Sequence, residues 1–384
     1  MSKIAFISYG YPPDVSGGSV NIQLLTAKLI ELGNEVYVIT TKGSDYNVVQ
    51  NNVFRCRYRE NLKKINEKIR RITKNSRIQY FCVLIDSLII RKVDKIIAEI
   101  NPDTIVTVCY PFMNIIIGER IKKKYPNIKW YAYYLDPYFS NPQYSFSSTS
   151  YIAKKEKNKL KLADRVIMLK WMKKKYIEMN VVANSIIYDV NLPISYYKCV
   201  NSCRDDKKMN LVHIGTLYRN IRDPSSVLNC FADIVKGSEL NYNLYLVGRN
   251  VGFSDDQIDN WKNAFNDKLS ITGSVEPQNV RYYYDLADIL ISIGNNNSLQ
   301  MPSKILQYIG TGKPIIHFYK VNNCPVKELL SGYSNALCVS ETDMDSSKIK
   351  EFIIKKGKAS PLSYNNIMQM YSEYDLNTIA KKFM

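Results

Sequence analysis

The feature that most constrains the fold is a repeated alternation of short apolar runs with longer segments of helical periodicity. In the first half of the chain, the runs typical of buried strands are residues 3–9, 35–40, 105–109, 129–135 and 163–169. In the second half they are residues 210–216, 242–248, 269–275, 287–293 and 314–318. Buried strands that alternate with helices form parallel sheets. The sequence therefore predicts an α/β fold with two Rossmann-like domains facing a central cleft.

A polar stretch separates the two series and predicts the domain boundary. Residues 189–208 contain Pro193 and then Lys-, Asp- and Ser-rich sequence, which is typical of a linker. We therefore predict one domain over residues 1–190 and a second over residues 205–369. A chain of 384 residues is long enough for two domains of ordinary size. The cleft between two such domains is the default place for a ligand.

The composition is that of a globular protein without a membrane-spanning segment. Hydrophobic residues make up 46% of the chain and charged residues 23%. The longest uncharged apolar run, 15 residues between Asp103 and Glu119, contains Pro111 and is too short to span a bilayer. The first strand begins at once and leaves no room for a signal peptide. The eight cysteines, of which Cys199 and Cys203 are the nearest to a metal-binding pair, predict free thiols in a reducing cytosol.

The net charge of +18 is concentrated in the first half of the chain. Residues 1–180 contain 31 Lys and Arg against 15 Asp and Glu, a net charge of +16, whereas the remainder carries +2. The densest basic clusters lie at residues 55–77 and 154–175. Such asymmetry indicates that the first domain faces something anionic.

One segment in the first basic cluster has the pattern of an amphipathic helix. Leu62, Ile65, Ile69 and Ile72 share one helical face, and lysines and arginines occupy the other. This pattern suits a peripheral site on an anionic membrane surface. A helix that packs its apolar face on the core and solvates its lysines is an equal alternative. We find no RNP, zinc-finger or helix-turn-helix signature, so we predict no nucleic acid partner.

A glycine-rich loop follows the first strand. Residues 10–19 read GYPPDVSGGS and precede an amphipathic helix at about residues 21–32. Gly17 and Gly18 would let a ligand approach the backbone closely, although a simple turn would also explain them. The loop is not the dinucleotide fingerprint, since it has no GxGxxG and the second strand ends at Thr40 without an acidic residue. A nicotinamide enzyme is therefore disfavoured.

Residues 298–316 predict a loop, a helix, a tight turn and a strand. Proline is favoured as the first residue of a helix, so we expect the helix to begin at Pro302 and to end at Gly310. The free N–H groups of Met301, Ser303 and Lys304 beside a lysine would then form a seat for a pyrophosphate. An ordinary capped helix without a ligand is the alternative.

Three further side chains are candidates for chemistry. Asp136 follows the predicted strand at residues 129–135, and ligands of doubly wound sheets lie at the carboxyl ends of strands. An Asp before Pro137 is also a common turn former, and this interpretation is slightly favoured. His213 and His317, the two histidines of the chain, lie in apolar strand patterns and are interpreted as packed core residues rather than catalysts.

Taken together, the motifs resemble the GT-B fold glycosyltransferases, in particular the retaining enzymes of glycosyltransferase family 4, and the resemblance covers nearly the whole chain. It rests on the following residues in this order: Tyr11-Pro12-Pro13 with Gly17-Gly18, residues 32–40, Gly215 with Arg222-Asp223-Pro224, Leu246-Val247-Gly248, residues 271–275, Pro302-Ser303-Lys304, and residues 312–316.

The resemblance implies a role for each matching position. Arg222 corresponds to the basic residue that meets the donor diphosphate, and Arg219 is a nearby second candidate. Gln307 stands where most members carry a glutamate that holds the ribose hydroxyls, and its carbonyl oxygen could accept a ribose O–H. The first glutamate of the usual pair has no counterpart in residues 295–299. The donor-binding set implied in this way is Gly17, Gly18, Gly215, Arg219, Arg222, Gly273, Val275, Pro302, Ser303, Lys304 and Gln307.

The resemblance also implies the reaction. A sugar would pass from a nucleotide sugar to a growing, lipid-linked surface glycan with retention of configuration, on the inner face of the cell membrane. Arg222 and Lys304 would stabilise the departing diphosphate, and Asp136 would contact the acceptor. No metal or other cofactor and no general base are expected, and residues 370–384 would cross back to the first domain. The alternatives are a catalytically weak GT-B subunit that binds a nucleotide or a partner, and a GT-B epimerase acting on a UDP-sugar.

Overall fold

The computed structural model describes the chain except for residues 15, 43–51, 91, 142–145, 198–207, 237, 239 and 299. Most of the predicted linker, with Cys199 and Cys203, lies outside the described residues. The chain forms two compact units. Unit 1 consists of Met1–Pro193 together with Glu373–Met384, and unit 2 consists of Ile194–Ser372.

Unit 1 contains a seven-stranded parallel sheet in the order β3-β2-β1-β4-β5-β6-β7. Its strands are β1 (Lys3–Ser8), β2 (Glu35–Thr40), β3 (Val53–Arg55), β4 (Thr104–Cys109), β5 (Lys129–Tyr134), β6 (Arg165–Leu169) and β7 (Ile187–Val190). Its helices up to Glu178 are α1 (Gly17–Glu31), α2 (Glu60–Ile72), α3 (Ser76–Ile89), α4 (Val93–Ile100), α5 (Met113–Lys124), α6 (Thr149–Leu160) and α7 (Lys170–Glu178). The central strand β4 is buried along its whole length, as expected for a strand covered on both faces.

Unit 2 contains a six-stranded parallel sheet in the order β12-β10-β8-β13-β14-β15 and a small two-stranded sheet of β9 and β11. The strands are β8 (Lys208–Ile214), β9 (Leu217–Tyr218), β10 (Asn241–Val247), β11 (Asn250–Val251), β12 (Leu269–Gly273), β13 (Ile289–Ile293), β14 (Ile315–Tyr319) and β15 (Ala336–Ser340). The helices are α8 (Ser225–Val235), α9 (Asp255–Phe265), α10 (Val280–Leu286), α11 (Lys304–Gly310), α12 (Pro325–Leu330), α13 (Ser346–Lys356) and α14 (Tyr364–Met370).

The last residues of the chain complete the core of unit 1. Helix α15 (Leu376–Ala380) packs on α1, and a short turn of 3₁₀ helix follows it. There the Phe383 ring lies 6.2 Å from the ring of Phe6 on β1 and 4.9 Å from the ring of Tyr133 on β5, measured between centroids. The Arg165 guanidinium donates to the carbonyl of Lys382 at 3.1 Å. These contacts attach Glu373–Met384 to the first sheet.

The predicted α/β class with two parallel sheets is confirmed, and the strand predictions are correct to within two residues at each end. Helix α1 begins four residues earlier than predicted, because the Ser16 hydroxyl caps it by accepting the Ser19 N–H at 3.3 Å. The strand predicted to reach Val275 ends at Gly273, whose φ of +69° turns the chain out of the sheet.

The predicted start of the helix at Pro302 is wrong. Helix α11 begins at Lys304, two residues later. The Ile305 N–H donates to the Pro302 carbonyl at 3.1 Å and the Leu306 N–H to the Ser303 carbonyl at 3.2 Å. This three-residue spacing is that of a tighter turn, so the proline begins a 3₁₀-like lead-in rather than the α-helix itself.

Two further features of the described residues bear on function. No helix among them is both long and apolar enough to cross a membrane. Cys56, Cys82, Cys109, Cys230, Cys324 and Cys338 are free thiols.

Candidate functional site

Arg222 lies where the order of strands in unit 2 reverses. Strand β8 pairs with β10 on one side and β13 on the other, which makes the gap between the carboxyl ends of β8 and β13 a topological switch point. The Arg222 guanidinium bridges this gap. It donates to the Thr216 carbonyl beyond β8 at 3.1 Å, and its Nε and Nη2 donate to Oδ1 of Asn295 beyond β13 at 3.2 and 2.8 Å.

Asn295 is a site residue whose role the sequence reasoning did not identify. It is buried, and besides accepting from Arg222 it donates from Nδ2 to the Gln300 carbonyl at 3.0 Å. The next residue also joins the two loops, since the Asn296 N–H donates to the Ile221 carbonyl at 3.1 Å. A carboxylate at position 295 would neutralise Arg222, whereas the amide orients the guanidinium and leaves its positive charge for an anion.

Burial acts on the same guanidinium. Arg222 is half-buried, and removal from water lowers the pKa of its guanidinium from the usual value. Arginine remains protonated in proteins even so. A cation that is held by neutral partners and partly removed from water interacts strongly with any anion that reaches it.

His213 borders the same position. A Cβ placed on Gly215 would lie 3.5 Å from Nε2 of His213 and 3.7 Å from Nη1 of Arg222. Burial first, and the charge of Arg222 second, lower the pKa of His213 to about 4, so its ring is neutral at physiological pH. Nδ1 lies 3.0 Å from the Ile291 carbonyl and must carry the proton, because a carbonyl only accepts. Nε2 is then an acceptor, without a hydrogen-bond partner among the described residues.

Lys304, Gln307 and Tyr284 form a second group in unit 2. The Lys304 ammonium donates to Oε1 of Gln307 at 2.9 Å, and the Tyr284 hydroxyl donates to the same oxygen at 2.8 Å. Since an ammonium only donates, the atom it meets must be the amide oxygen, and both of its lone pairs are used. A ribose O–H that binds this oxygen would therefore have to replace one of these two donors. The exposed Gln307 side chain offers its NH₂ group instead.

Lys304 is half-buried, and desolvation lowers the pKa of its ammonium. In the described part of the chain, the N–H groups of Met301, Ser303 and Lys304 donate no hydrogen bond. The seat predicted from the sequence thus retains three free donors and one cation, although it lies at a 3₁₀-like turn. Pro302, before this turn, is half-buried.

Tyr308 holds this helix against the sheet. Its buried hydroxyl accepts the Ile214 N–H at 2.7 Å and lies 3.3 Å from the Ile291 carbonyl, to which it can donate. One side chain therefore attaches α11 to both β8 and β13, the strands that flank Arg222. The sequence could not predict this role of Tyr308, since helical periodicity does not reveal the partner of a hydroxyl.

Three glycines meet at the ends of β8, β10 and β12. The Gly248 N–H donates to the Gly273 carbonyl at 3.0 Å, and a Cβ at Gly248 would lie 2.2 Å from the carbonyl oxygen of Gly215. Only glycine fits at position 248, so the predicted residues Gly215 and Gly273 both contact a third glycine, Gly248.

Val275 lies two residues beyond Gly273 and is half-buried. Arg219 is exposed and donates its N–H to the Val251 carbonyl at 3.1 Å.

In unit 1, Asp14 organises the predicted glycine loop. Its Oδ2 accepts the hydroxyls of Ser16 and Ser19 at 3.1 and 2.9 Å, and its Oδ1 accepts the Lys42 ammonium at 3.0 Å. Partial burial acts to raise the pKa of Asp14, but the hydrogen bonds from Lys42 and the serines outweigh it and hold the pKa below the usual value. The ionised carboxylate thereby fixes the turn that leads to Gly17 at the start of α1.

Gly18 lies near the residue that precedes Asp136. A Cβ at Gly18 would be 3.7 Å from Cδ1 of Leu135, so the first turn of α1 approaches the residue after β5 at one edge of the sheet. Asp136 is half-buried there. The structure thus places Gly17, Gly18 and Asp136 at the carboxyl edge of the first sheet, and the remaining predicted site residues at that of the second.

The segment after Asp136 is anchored by a buried carboxyl that the sequence analysis did not single out. Glu156 on α6 is fully buried and accepts the Phe139 N–H at 3.1 Å and the Tyr176 hydroxyl at 3.0 Å. The same Tyr176 oxygen accepts the Tyr138 N–H at 3.1 Å. Burial raises the pKa of Glu156 from 4.5 to about 8.

This pKa predicts a pH dependence of stability. Glu156 binds its proton more tightly in the folded chain than in the unfolded chain, so protonation of Glu156 stabilises the fold. This contribution to the free energy of unfolding is complete below pH 4.5 and is lost as the pH rises to about 8. The full change is at most about 5 kcal/mol. Glu156→Gln should remove this slope and add a constant loss, since its NH₂ cannot accept the Phe139 N–H. Urea unfolding between pH 4.5 and pH 8 gives the free energy of unfolding of the wild type and of Glu156→Gln. If this free energy changed with pH equally in both proteins, the prediction would be contradicted.

No protein-family model matches the chain, and no curated protein sequence matches it. Solved structures do. The sucrose-phosphate synthase of Thermosynechococcus elongatus superposes with a TM-score of 0.69 at 16% identity, over 100% of this chain and 97% of that chain. The lipopolysaccharide outer core galactosyltransferase WaaB, in its apo form, gives a TM-score of 0.68 at 12% identity, over 99% and 98%. Anabaena HepE in complex with UDP and glucose gives 0.65 at 12%, over 100% and 98%.

These similarities define the class of fold. The chain has, over its whole length, the fold of the GT-B glycosyltransferases, as its motifs predict. At 16% identity or less, the similarity describes the fold alone. The activity must therefore be argued from the residues of this chain.

Proposed function

We propose that the protein is a retaining glycosyltransferase of the family 4 type, which transfers a sugar from a nucleoside diphosphate sugar. The observation that carries the proposal is the Arg222 guanidinium, which is held by a carbonyl and an amide at the switch point of unit 2 and has no carboxylate partner among the described residues. Lys304 supplies a second partly buried cation. Two cations of this kind suit a diphosphate. The similar structure of HepE was solved with UDP and glucose, and another with UDP-glucose.

The chemistry follows from charge. When the sugar–phosphate bond breaks, negative charge develops on the departing diphosphate, and fixed cations lower the energy of that state. Arg222 and Lys304 take this role, so the reaction that we propose needs no metal or other cofactor. The Gln307 NH₂ group would donate to the ribose oxygens. Gly215, Gly273, Val275, Pro302 and Ser303 line the donor position, and Arg219 stands outside it as the second basic candidate.

For the acceptor we propose a growing, lipid-linked glycan. In unit 1 the Gly17-Gly18 loop and Asp136 would contact it, with Asp136 orienting an acceptor hydroxyl. No residue is assigned as a general base. The net charge of +16 in residues 1–180 supports a position on the anionic inner face of the cell membrane.

A second candidate is favoured by one observation. Of the two glutamates that family 4 enzymes usually carry, one is replaced here by Gln307 and the other has no counterpart in residues 295–299. The amide oxygen of Gln307 already accepts hydrogen bonds from Lys304 and Tyr284. A catalytically weak subunit that binds a nucleotide or a partner transferase would tolerate this. An epimerase acting on a UDP-sugar is less well supported, because among the described site residues His213 has no carboxylate partner.

A thermal-shift screen of nucleoside diphosphates and their sugars tests the donor site. A ligand that binds only the folded chain raises the melting temperature, and at one hundred times its Kd it stabilises the fold by about 2.7 kcal/mol. We expect one nucleotide class to raise the melting temperature of the wild-type protein and not that of Arg222→Ala. A screen in which no nucleotide shifts the wild type would contradict the proposal. A shift without sugar transfer would favour the binding subunit.

A further inference from the structure

Helix α2 is packed with its polar side inward. Its one buried residue is Asn66, while the apolar residues of its stripe face solvent, with Ile65 57% exposed and Ile72 79% exposed. The neighbouring helix α3 continues the pattern, since Phe81 is 60% and Leu88 70% exposed. The full set of exposed apolar side chains on α2 and α3 is Leu62, Ile65, Ile69, Ile72, Ile78, Phe81 and Leu88. A helix of a soluble protein normally buries such a stripe.

Polar contacts explain how α2 stays in place without burying its stripe. The Asn66 Nδ2 donates to the Cys82 carbonyl and to Oδ1 of Asp86 on α3, both at 2.7 Å. Arg70, one turn further along α2, forms an ion pair with Asp86. These buried groups fasten the two helices together. The isoleucines are therefore not needed for packing, and the alternative of a core-facing apolar side does not hold.

The exposed stripe is flanked by unpaired cations. Lys64, Lys68, Arg71 and Lys74 are exposed, and none of them forms an ion pair within the described part of the chain. A surface that combines exposed apolar side chains with free basic ones fits the boundary between acyl chains and anionic headgroups. Nucleic acid would use the cations but would leave seven apolar side chains in water, so the lipid surface is favoured.

We propose that α2 and α3 form a membrane docking face, whose apolar side chains enter the bilayer interface while the flanking lysines and arginines bind anionic phospholipid headgroups. The inference rests on the membrane association proposed above and names the surface and the partner. Each isoleucine that enters the interface gains free energy in proportion to its buried carbon atoms, and each cation gains from the negative surface potential.

The docking face adjoins the predicted acceptor loops. The Lys63 ammonium donates to the Lys42 carbonyl at 3.4 Å, and Lys42 is the partner of Asp14 in the glycine loop. The inner side of α2 thus lies against the carboxyl edge of the first sheet, while its outer side carries the apolar stripe. A membrane bound at this face would lie beside the loop that contains Asp14 and the first turn of α1, which contains Gly17 and Gly18. A lipid-linked acceptor would have a short path to them.

Vesicle sedimentation of the full chain tests the proposal. We expect binding to phosphatidylcholine vesicles that contain phosphatidylglycerol, and a roughly tenfold loss of affinity in the double variant Ile65→Ser, Phe81→Ser. The matched control is Ile354→Ser, because Ile354 is 59% exposed on α13 and is followed by Lys355 and Lys356. The control should bind like the wild type. All substituted side chains are exposed, so the melting temperatures should agree.

Insertion has a direct readout. A tryptophan introduced by Phe81→Trp should be quenched by brominated acyl chains, whereas one introduced by Ile354→Trp should not. Equal binding of all variants, with no quenching, would overturn the proposal. So would loss of binding only in Lys64→Glu, Lys68→Glu, since that result indicates attraction without insertion. Binding of a DNA duplex in place of vesicles, weakened by the same apolar substitutions, would also overturn it.

The experiment is independent of sugar transfer. Arg222→Ala should bind vesicles like the wild type, since Arg222 belongs to unit 2 and to the donor site. Vesicle binding by a wild-type protein that shows no transferase activity would support the docking face and count against the proposed function. Sugar transfer by a wild-type protein that does not bind vesicles would support the proposed function and overturn the docking face.

Discussion

Arg222→Ala is expected to lower the rate of sugar transfer by about 10²–10³-fold, the usual cost of removing one preorganised group that stabilises charge in a transition state. The substitution removes the cation between the carboxyl ends of β8 and β13 and leaves Oδ1 of Asn295 and the Thr216 carbonyl without their donor. The loss should appear in kcat as well as in donor binding, because the diphosphate carries most charge as it departs.

Arg219→Ala is the matched control. Arg219 is exposed, three residues from Arg222, and is the other basic residue that the sequence offers for the diphosphate. We expect the control to retain most of the activity. Initial rates with a saturating nucleotide sugar, together with circular dichroism melts of both variants, provide the measurement. If Arg219→Ala lost the activity and Arg222→Ala kept it, the assignment of the two arginines would have to be exchanged.

Asn295→Leu is expected to lower kcat by roughly 10- to 100-fold, because it removes the acceptor that orients Arg222 and the donor to the Gln300 carbonyl. Asn295 is a positioning residue, since it acts through Arg222. Asn295→Asp separates orientation from charge. It keeps an acceptor for the guanidinium but offsets its positive charge, so we expect kcat to recover only in part and KM for the nucleotide sugar to rise about tenfold or more.

This split between kcat and KM distinguishes a positioning role from a purely structural one. A structural role would lower the melting temperature in Asn295→Leu and leave the kinetic constants of the folded fraction unchanged. Steady-state kinetics over a range of donor concentrations, corrected for the folded fraction, decide the matter. Identical kinetic constants in both variants would refute the proposed role.

Among the described residues, ten of the thirteen strands in the two large sheets could be predicted from the sequence, because a buried parallel strand is a continuous apolar run. The strands that were missed, β3, β7 and β15, lie at sheet edges and are only partly buried. The prediction for β2 is correct at both ends. The limits of the helices were less predictable, since they depend on single hydrogen bonds, such as that from Ser19 to Ser16 at α1. The proline rule failed at Pro302 for the same reason. The backbone forms a tighter turn there than the α-helix that the rule assumes.

The site was predictable only in part, for a physical reason. Arg222 and Lys304 stand in recognisable motifs, whereas the partners that orient them are defined by long-range contacts. Asn295 lies 73 residues from Arg222 along the chain. Its place two residues after a predicted strand was the signal that could have marked it. Glu156 offered no such signal, because a glutamate in a lysine-rich helix is usually solvated and here it is fully buried.

For the amphipathic helix α2, the sequence predicted the two sides of the helix but not its orientation. Its periodicity was correctly interpreted as a helix with one apolar and one basic side, but a periodic pattern does not tell which side turns inward. Here Asn66, Arg70 and Asp86 decide this by forming a buried polar contact. Sequence periodicity does not report contacts between polar side chains on two helices, so the orientation of α2 could be learned only from the structure.

The contact of Phe383 with Phe6 and Tyr133 has a consequence for the order of events during synthesis. A ribosome releases residues 1–193 long before the last twelve residues, Glu373–Met384, that belong to the same unit. Until then, two aromatic rings of the first sheet lack their partner. The core of the first unit therefore remains incompletely packed while the whole of the second unit is synthesised and can fold.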